Sequence, residues 1–213
     1  MTSFLGVLQA VAEEVKRRAD ELNRLDAEAG DGDLGVTATH AADAILRLIP
    51  DLAGQEIPDI LKACGLAVSR EAPSTAGTLI AIGLLGAGRA AEEKSLFSVS
   101  GPASIAELLD ASRVAISVRG KAEPGSKTML DALSPAVSAA ADIVSGGGTL
   151  WQALDGAAEA ADKGAKGTAR MTPRFGRAAW LPERSAGHED GGARLIAIIL
   201  DVAARSRDFK DSQ

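Results

Sequence analysis

Residues 75–93 read TAGTLIAIGLLGAGRAAEE. Apolar side chains occur nearly all round this segment, and no strand-like alternation breaks them up. A helix that is apolar on every side has to be covered by other helices. The stretch therefore predicts a central member of a helical assembly. Outward from it the same period recurs. Towards the N-terminus, about Ser3 to Arg24 places Phe4, Leu8, Val11, Val15, Ala19 and Leu22 three and four apart. About 35–49 carries Ala38, Ala41, Ala42, Ile45 and Leu48 and stops before Pro50. About 57–71 starts near Pro58, an acceptable first-turn position. Towards the C-terminus, four more segments follow at about 103–119, 127–145, 150–169 behind a Thr149 cap, and 191–206. Eight such segments on short connections, with no convincing strand, predict an all-α bundle or barrel of antiparallel helices in one domain, 1–213. The 170–190 connection, at about 20 residues, is longer than the usual link and is a candidate functional loop.

Composition narrows the class. Hydrophobic residues make up 46% of the 213 and charged residues 24%, ordinary for a globular chain. Aromatics are 3%, with no Tyr, so core volume must come from Ala, Leu, Ile and Val. That favours closely packed helices over a sandwich. A net charge of −6 argues against a general nucleic-acid surface and fits a cytoplasmic protein. The single Cys64 excludes an internal disulfide framework and reads as a small buried apolar residue. No export signal and no membrane span are expected.

Chemistry concentrates in four stretches. LDAEAGDGDLG, 25–35, gathers Asp26, Asp31 and Asp33 around Gly30 and Gly32. One reading is a solvated loop with an Asp helix cap. The other is a hard-metal site, because Mg²⁺ takes oxygen ligands and leaves positions for phosphates. Residue types leave both open. PSTAGT, 73–78, is either an ordinary Ser/Thr cap or a phosphate-binding helix start. RGKAEPGSKTMLDAL, 119–133, ends on Lys127–Thr128 like a Walker A motif, but its glycine spacing fails and no strand precedes it. RMTPRFGRAAWLPERSAGHEDGGA, 170–193, combines Arg174, Arg177 and Arg184 with His188 and Asp190, residue types suited to phosphate recognition. His40, between alanines on a helix, reads as structural.

Taken in order, LNRLDAEAGDGDLG, RGKAEPGSKTMLDAL and GRAAWLPERSAGHEDGGA resemble the L subunit, or L domain, of dihydroxyacetone kinases (DhaL). The likeness runs over nearly the whole chain. It implies a closed barrel of eight antiparallel helices with ATP or ADP at one end. It implies two Mg²⁺ ions on Asp26, Asp31 and Asp33. Nucleotide contacts are implied at Leu34, Gly35, Val36, Thr37, Thr75, Ala76, Gly120, Met129, Arg177, Asp190, Gly191 and Gly192, with Arg177 also in the catalytic role. The sugar would be held by a separate K-type subunit. In some members a phosphotransferase-system phosphocarrier recharges a bound ADP. The sequence departs from the family pattern at Leu34, where a His is common, at Pro73–Gly77 and at Ser126. The resemblance thus implies the nucleotide half of a dihydroxyacetone or glycerone kinase. The alternatives are a kinase for another small ketose or tetrose, or a non-catalytic regulatory subunit that binds nucleotide.

Overall fold

The computed structural model describes residues 4–96, 101–175, 179 and 182–206. Among them are α1 (Phe4–Arg17), α2 (Ala19–Ala27), α3 (Leu34–Leu48), α4 (Ile57–Glu71), α5 (Thr75–Glu93), α6 (Pro102–Gly120), α7 (Leu130–Ser145), α8 (Leu150–Gly167) and α9 (Gly191–Arg205), and no strand. Helix packs on helix in chain order from α3 to α9, and α9 returns against α1, which itself packs on α3. The ring is closed. The α1–α2 pair forms one stave, so the barrel has the eight antiparallel members that the sequence predicts.

The segment expected to run unbroken from Ser3 to Arg24 is instead bent. Arg18 leaves helical geometry (φ −95°, ψ 9°), although its N–H still reaches the Glu14 carbonyl at 3.0 Å. The bend lies where α3 comes closest. A Cβ on Gly35 would stand 2.0 Å from the Ala19 carbonyl oxygen, so only glycine admits the approach. Asn23 then accepts hydrogen bonds from Gly35 N (2.7 Å) and Val36 N (3.3 Å), satisfying donors that open α3.

Residues 75–93 do form one uninterrupted helix, but it is a stave and not a central axis. A ring of helices has no central member. The sides of α5 are apolar because α4 and α6 press on them directly. Gly83 and Gly86 face Ile116 and Ala115 of α6, and Gly88 faces the Pro58 carbonyl of α4. The densest contact joins α7 and α8. Ala132, Ala136 and Ala140 lie buried against Ala153, Ala157, Ala161 and Ala165, a four-residue spacing that keeps each row on one face. Pro135 has no N–H to offer the Asp131 carbonyl one turn earlier. At that carbonyl α8 crosses through Gly164, where a Cβ would come within 2.2 Å of the oxygen. Large side chains are few. Leu22, Leu130 and Leu195 are almost wholly buried, and each contributes roughly 2 kcal/mol of transfer free energy. Cys64 is buried as expected, and burial pushes its thiol up to about 11. His40 faces solvent. No described helix is long and apolar enough to cross a membrane.

Candidate functional site

Alternation of direction brings the N-termini of α3, α5, α7 and α9 to one end of the barrel. A cleft of about 900 Å³ opens there. The first residues of all four helices line it: Leu34, then Ser74 to Ala76, then Thr128 to Leu130, then Asp190 to Gly192. Each helix start carries a partial positive charge and unpaired N–H groups. Four of them around one cavity direct partial positive charge into it, although the first donors of α3 are taken by Asn23.

The aspartate loop forms the mouth. Asp26 lies in the last turn of α2, and its carboxylate accepts from Gly32 N (2.8 Å) and Asp33 N (3.1 Å). Gly32 supports this turn with φ +77°. Gly30 leaves room for the carboxylate, since a Cβ there would stand 2.7 Å from Asp26 Oδ1. One ligand oxygen from each of Asp26, Asp31 and Asp33 lies within 4.8 Å of the others, with Asp31 and Asp33 exposed. Small side-chain rotations would close that spacing on a hard cation whose ligands sit at about 2.1 Å. Asp33 occupies the N-cap of α3 but makes no side-chain capping bond there; Asn23 serves that role. Three oxygen donors at the rim of a cavity fit Mg²⁺.

The remaining walls are built as tightly. Ser74 caps α5 by accepting from Gly77 N (3.0 Å) and receives the Thr37 hydroxyl at 3.2 Å. The 73–78 stretch is thus both a helix cap and cleft wall. Next to it the α6 end contributes Ile116, Arg119 and Gly120. Asp131 is 5% exposed and accepts from Thr128 N (2.7 Å) and Gly125 N. Lys127, inside that turn, is buried as well. Asp190 caps α9 by accepting from Ala193 N at 2.8 Å. Burial pushes its carboxyl up to about 6; the Ala193 N–H holds it down, Asp131 raises it, Lys127 lowers it and Asp26 raises it.

Of the positions singled out in the sequence, the three aspartates and Leu34, Thr75, Ala76, Gly120, Met129, Asp190, Gly191 and Gly192 meet at this cleft. Gly35, Val36 and Thr37 do not line it. Successive steps of about 100° turn Gly35 and Val36 away from the side that Leu34 presents to the cleft, whereas Thr37, one turn on, returns to that side and spends its hydroxyl on Ser74. Gly35 and Val36 give their N–H groups to Asn23, and Val36 is 48% exposed. Arg177 lies outside the described residues. In the same loop, Arg174 is exposed, Arg184 donates to the Ala27 carbonyl at 3.2 Å, and His188 stands 3.8 Å from Glu28. Ser69, Arg119 and Phe175 line the cleft as well, and no spacing in the sequence signals them, because each reaches it through the fold. Lys127 and Thr128, which end a Walker-like stretch, line it too. Asn23 does not line it but accepts from the first donors of α3.

Comparison with known proteins agrees with this architecture. The DAK2 domain model matches residues 28–205. The ADP-binding subunit DhaL of the PEP-dependent dihydroxyacetone kinase of Escherichia coli is 27% identical, and the alignment covers 95% of each chain. The D-erythrulose kinase of Mycolicibacterium smegmatis is 36% identical over 92% of this chain, which spans 33% of that kinase. The crystal structure of the dihydroxyacetone kinase of C. freundii superposes with a TM-score of 0.74 at 25% identity, over 95% of this chain and 34% of that one. The chain thus spans nearly all of the bacterial subunit and about one third of the longer kinases. Matched from the aspartate loop to the last helix, the chain belongs to the DAK2 domain family of the dihydroxyacetone kinases.

Proposed function

We propose that this chain is the Mg²⁺- and nucleotide-binding component of a kinase for dihydroxyacetone or a related short ketose, the sugar being held by a separate K-type subunit. One observation carries the reading: a carboxylate triad and four helix N-termini converge on one cleft. Carboxylates alone suit a cation and helix starts alone suit an anion. Together they suit a metal–phosphate pair. Asp26, Asp31 and Asp33 would hold Mg²⁺, two ions as the family resemblance implies. Bound Mg²⁺ would neutralise phosphate charge, which is most of what phosphoryl transfer needs from its catalyst.

The chain's own residues do the rest. The starts of α5 and α9 orient the phosphates through Thr75, Ala76, Gly191 and Gly192. Leu79, Ile116 and Met129 give an apolar wall for the base. Asp190 fixes the first turn of α9. Arg177 adds positive charge to the phosphoryl group in flight. No protein nucleophile is required. The domain, taken as residues 1–213, corresponds to one part of a two-part enzyme. This fits its match to a whole ADP-binding subunit and to a third of single-chain kinases. The donor is ATP in free exchange, or an ADP recharged in place by a phosphocarrier, as the PEP-dependent naming of the E. coli relative suggests. A second reading of the substrate has support. L-erythrulose kinase of Pectobacterium atrosepticum is 32% identical and the D-erythrulose kinase 36%, which favours a tetrose acceptor.

The test is reconstitution. The chain is mixed with a K-type subunit, Mg²⁺ and ATP, and sugar phosphate is followed by ³¹P NMR with dihydroxyacetone and with erythrulose in parallel. Phosphate on either sugar supports a kinase component and identifies the acceptor. Mg-dependent nucleotide binding without transfer, with every K-type partner and donor tried, would point to the regulatory alternative.

A further inference from the structure

We infer that Lys127 is a positioning residue, whose ammonium clasps both ends of the 171–188 stretch to the start of α7 and thereby sets the cleft wall made by the first turn of α9. Lys127 is 4% exposed and adopts a left-handed φ of +59°. A lysine avoids both conditions unless its neighbours enforce them. Asp131 enforces the turn by accepting from Thr128 N and Gly125 N. The ammonium then donates to the carbonyls of Ser185 (2.6 Å), His188 (2.9 Å) and Met171 (3.4 Å). An ammonium has three N–H donors; the Ser185 and His188 carbonyls take two at close range, and the Met171 carbonyl stands at the edge of reach for the third. Lys127 is thus committed to main-chain carbonyls, unlike the lysine of a phosphate-binding loop. Its acceptors are main-chain atoms 44 to 61 residues away. What it fixes is backbone position. His188 lies two residues before Asp190, so its carbonyl sets where Asp190, Gly191 and Gly192 enter the cleft. The functional half of this inference rests on the nucleotide reading above; the clasp does not.

Hydrogen exchange on nucleotide-free protein separates the two. Lys127→Met should speed exchange at least tenfold in peptides 168–175 and 182–190 and leave α5 unchanged. Mg-ADP should then bind about tenfold more weakly. In Lys127→Ala, added n-propylammonium should restore slow exchange where n-propanol does not. Unchanged exchange in a folded Lys127→Met, or equal rescue by the alcohol, overturns the clasp. Faster exchange with unaltered Mg-ADP affinity overturns its link to the cleft wall. Should the variants fail to fold, ¹⁵N NMR of the unaltered protein decides: one slowly exchanging lysine ammonium coupled to backbone carbonyls is expected, and its absence overturns the clasp. If the unaltered protein binds no Mg-ADP, the nucleotide reading falls while the exchange data still judge the clasp.

Discussion

Two turns on the cleft rim share a construction and differ in what they offer. In the 26–33 loop, the Asp26 carboxylate accepts from two backbone N–H groups and Gly32 takes a left-handed φ of +77°. In the 125–131 turn, Asp131 accepts from two backbone N–H groups and Gly125 takes +87°. The first turn leaves Asp31 and Asp33 exposed at the mouth. The second buries its carboxylate and draws a lysine inward. One scaffold thus makes a turn whose extra charges meet solvent, which we propose faces the ligand, and a structural turn whose lysine meets backbone carbonyls. Burial decides the role more than motif does.

That contrast breaks first at the exposed turn. Asp31→Ala should weaken Mg-nucleotide binding at least a hundredfold in calorimetry while the thermal midpoint moves little. A large drop in thermal midpoint with unaltered nucleotide affinity in the folded protein would make the aspartates structural and erase the distinction. The buried turn should answer in the opposite sense. Asp131→Ala strands two N–H groups and should cost about 2–4 kcal/mol in chemical denaturation. A smaller effect follows from Asn23→Ala, which removes the acceptor opening α3 and should cost about 1 kcal/mol.

The last prediction concerns protons. In metal-free protein the Asp190 carboxyl should titrate near pH 6 by ¹³C NMR, because burial disfavours its charge. The folded value lies above the ordinary carboxylate value, so the fold binds this proton more tightly than the unfolded chain does. The stabilising contribution of this group is therefore full below about pH 4 and declines as pH rises through 6. A titration near 4 would mean that the α9 cap is open to water.

Helices were readable because burial on one face imposes a period near 3.6, and that period survives in the letters. The two errors have physical causes. The break at Arg18 answers to Gly35, a residue on another helix. The all-round apolarity of 75–93 reflects neighbours pressed on both sides, which a single strip of sequence cannot distinguish from a central helix. At the site, residue types leave Asp26, Asp31 and Asp33 open between a capped solvated loop and a cation site; the fold adds that one oxygen from each lies within 4.8 Å of the others. Gly35, Val36 and Thr37 are implied by the family resemblance, but the first two give their N–H groups to Asn23 and Thr37 gives its hydroxyl to Ser74, bonds that no local pattern announces. Asn23 acts through partners 12 and 13 residues distant, and nothing local marks it; Lys127 sits in a Walker-like ending, but its partners lie 44 to 61 residues away.

If the carboxylate triad and the four helix starts form one Mg–nucleotide site, ADP titrated into the purified chain with Mg²⁺ should bind saturably, one to one, and at least a hundredfold more weakly once the metal is chelated. Binding of equal strength in chelator, or none in either condition, would contradict that reading.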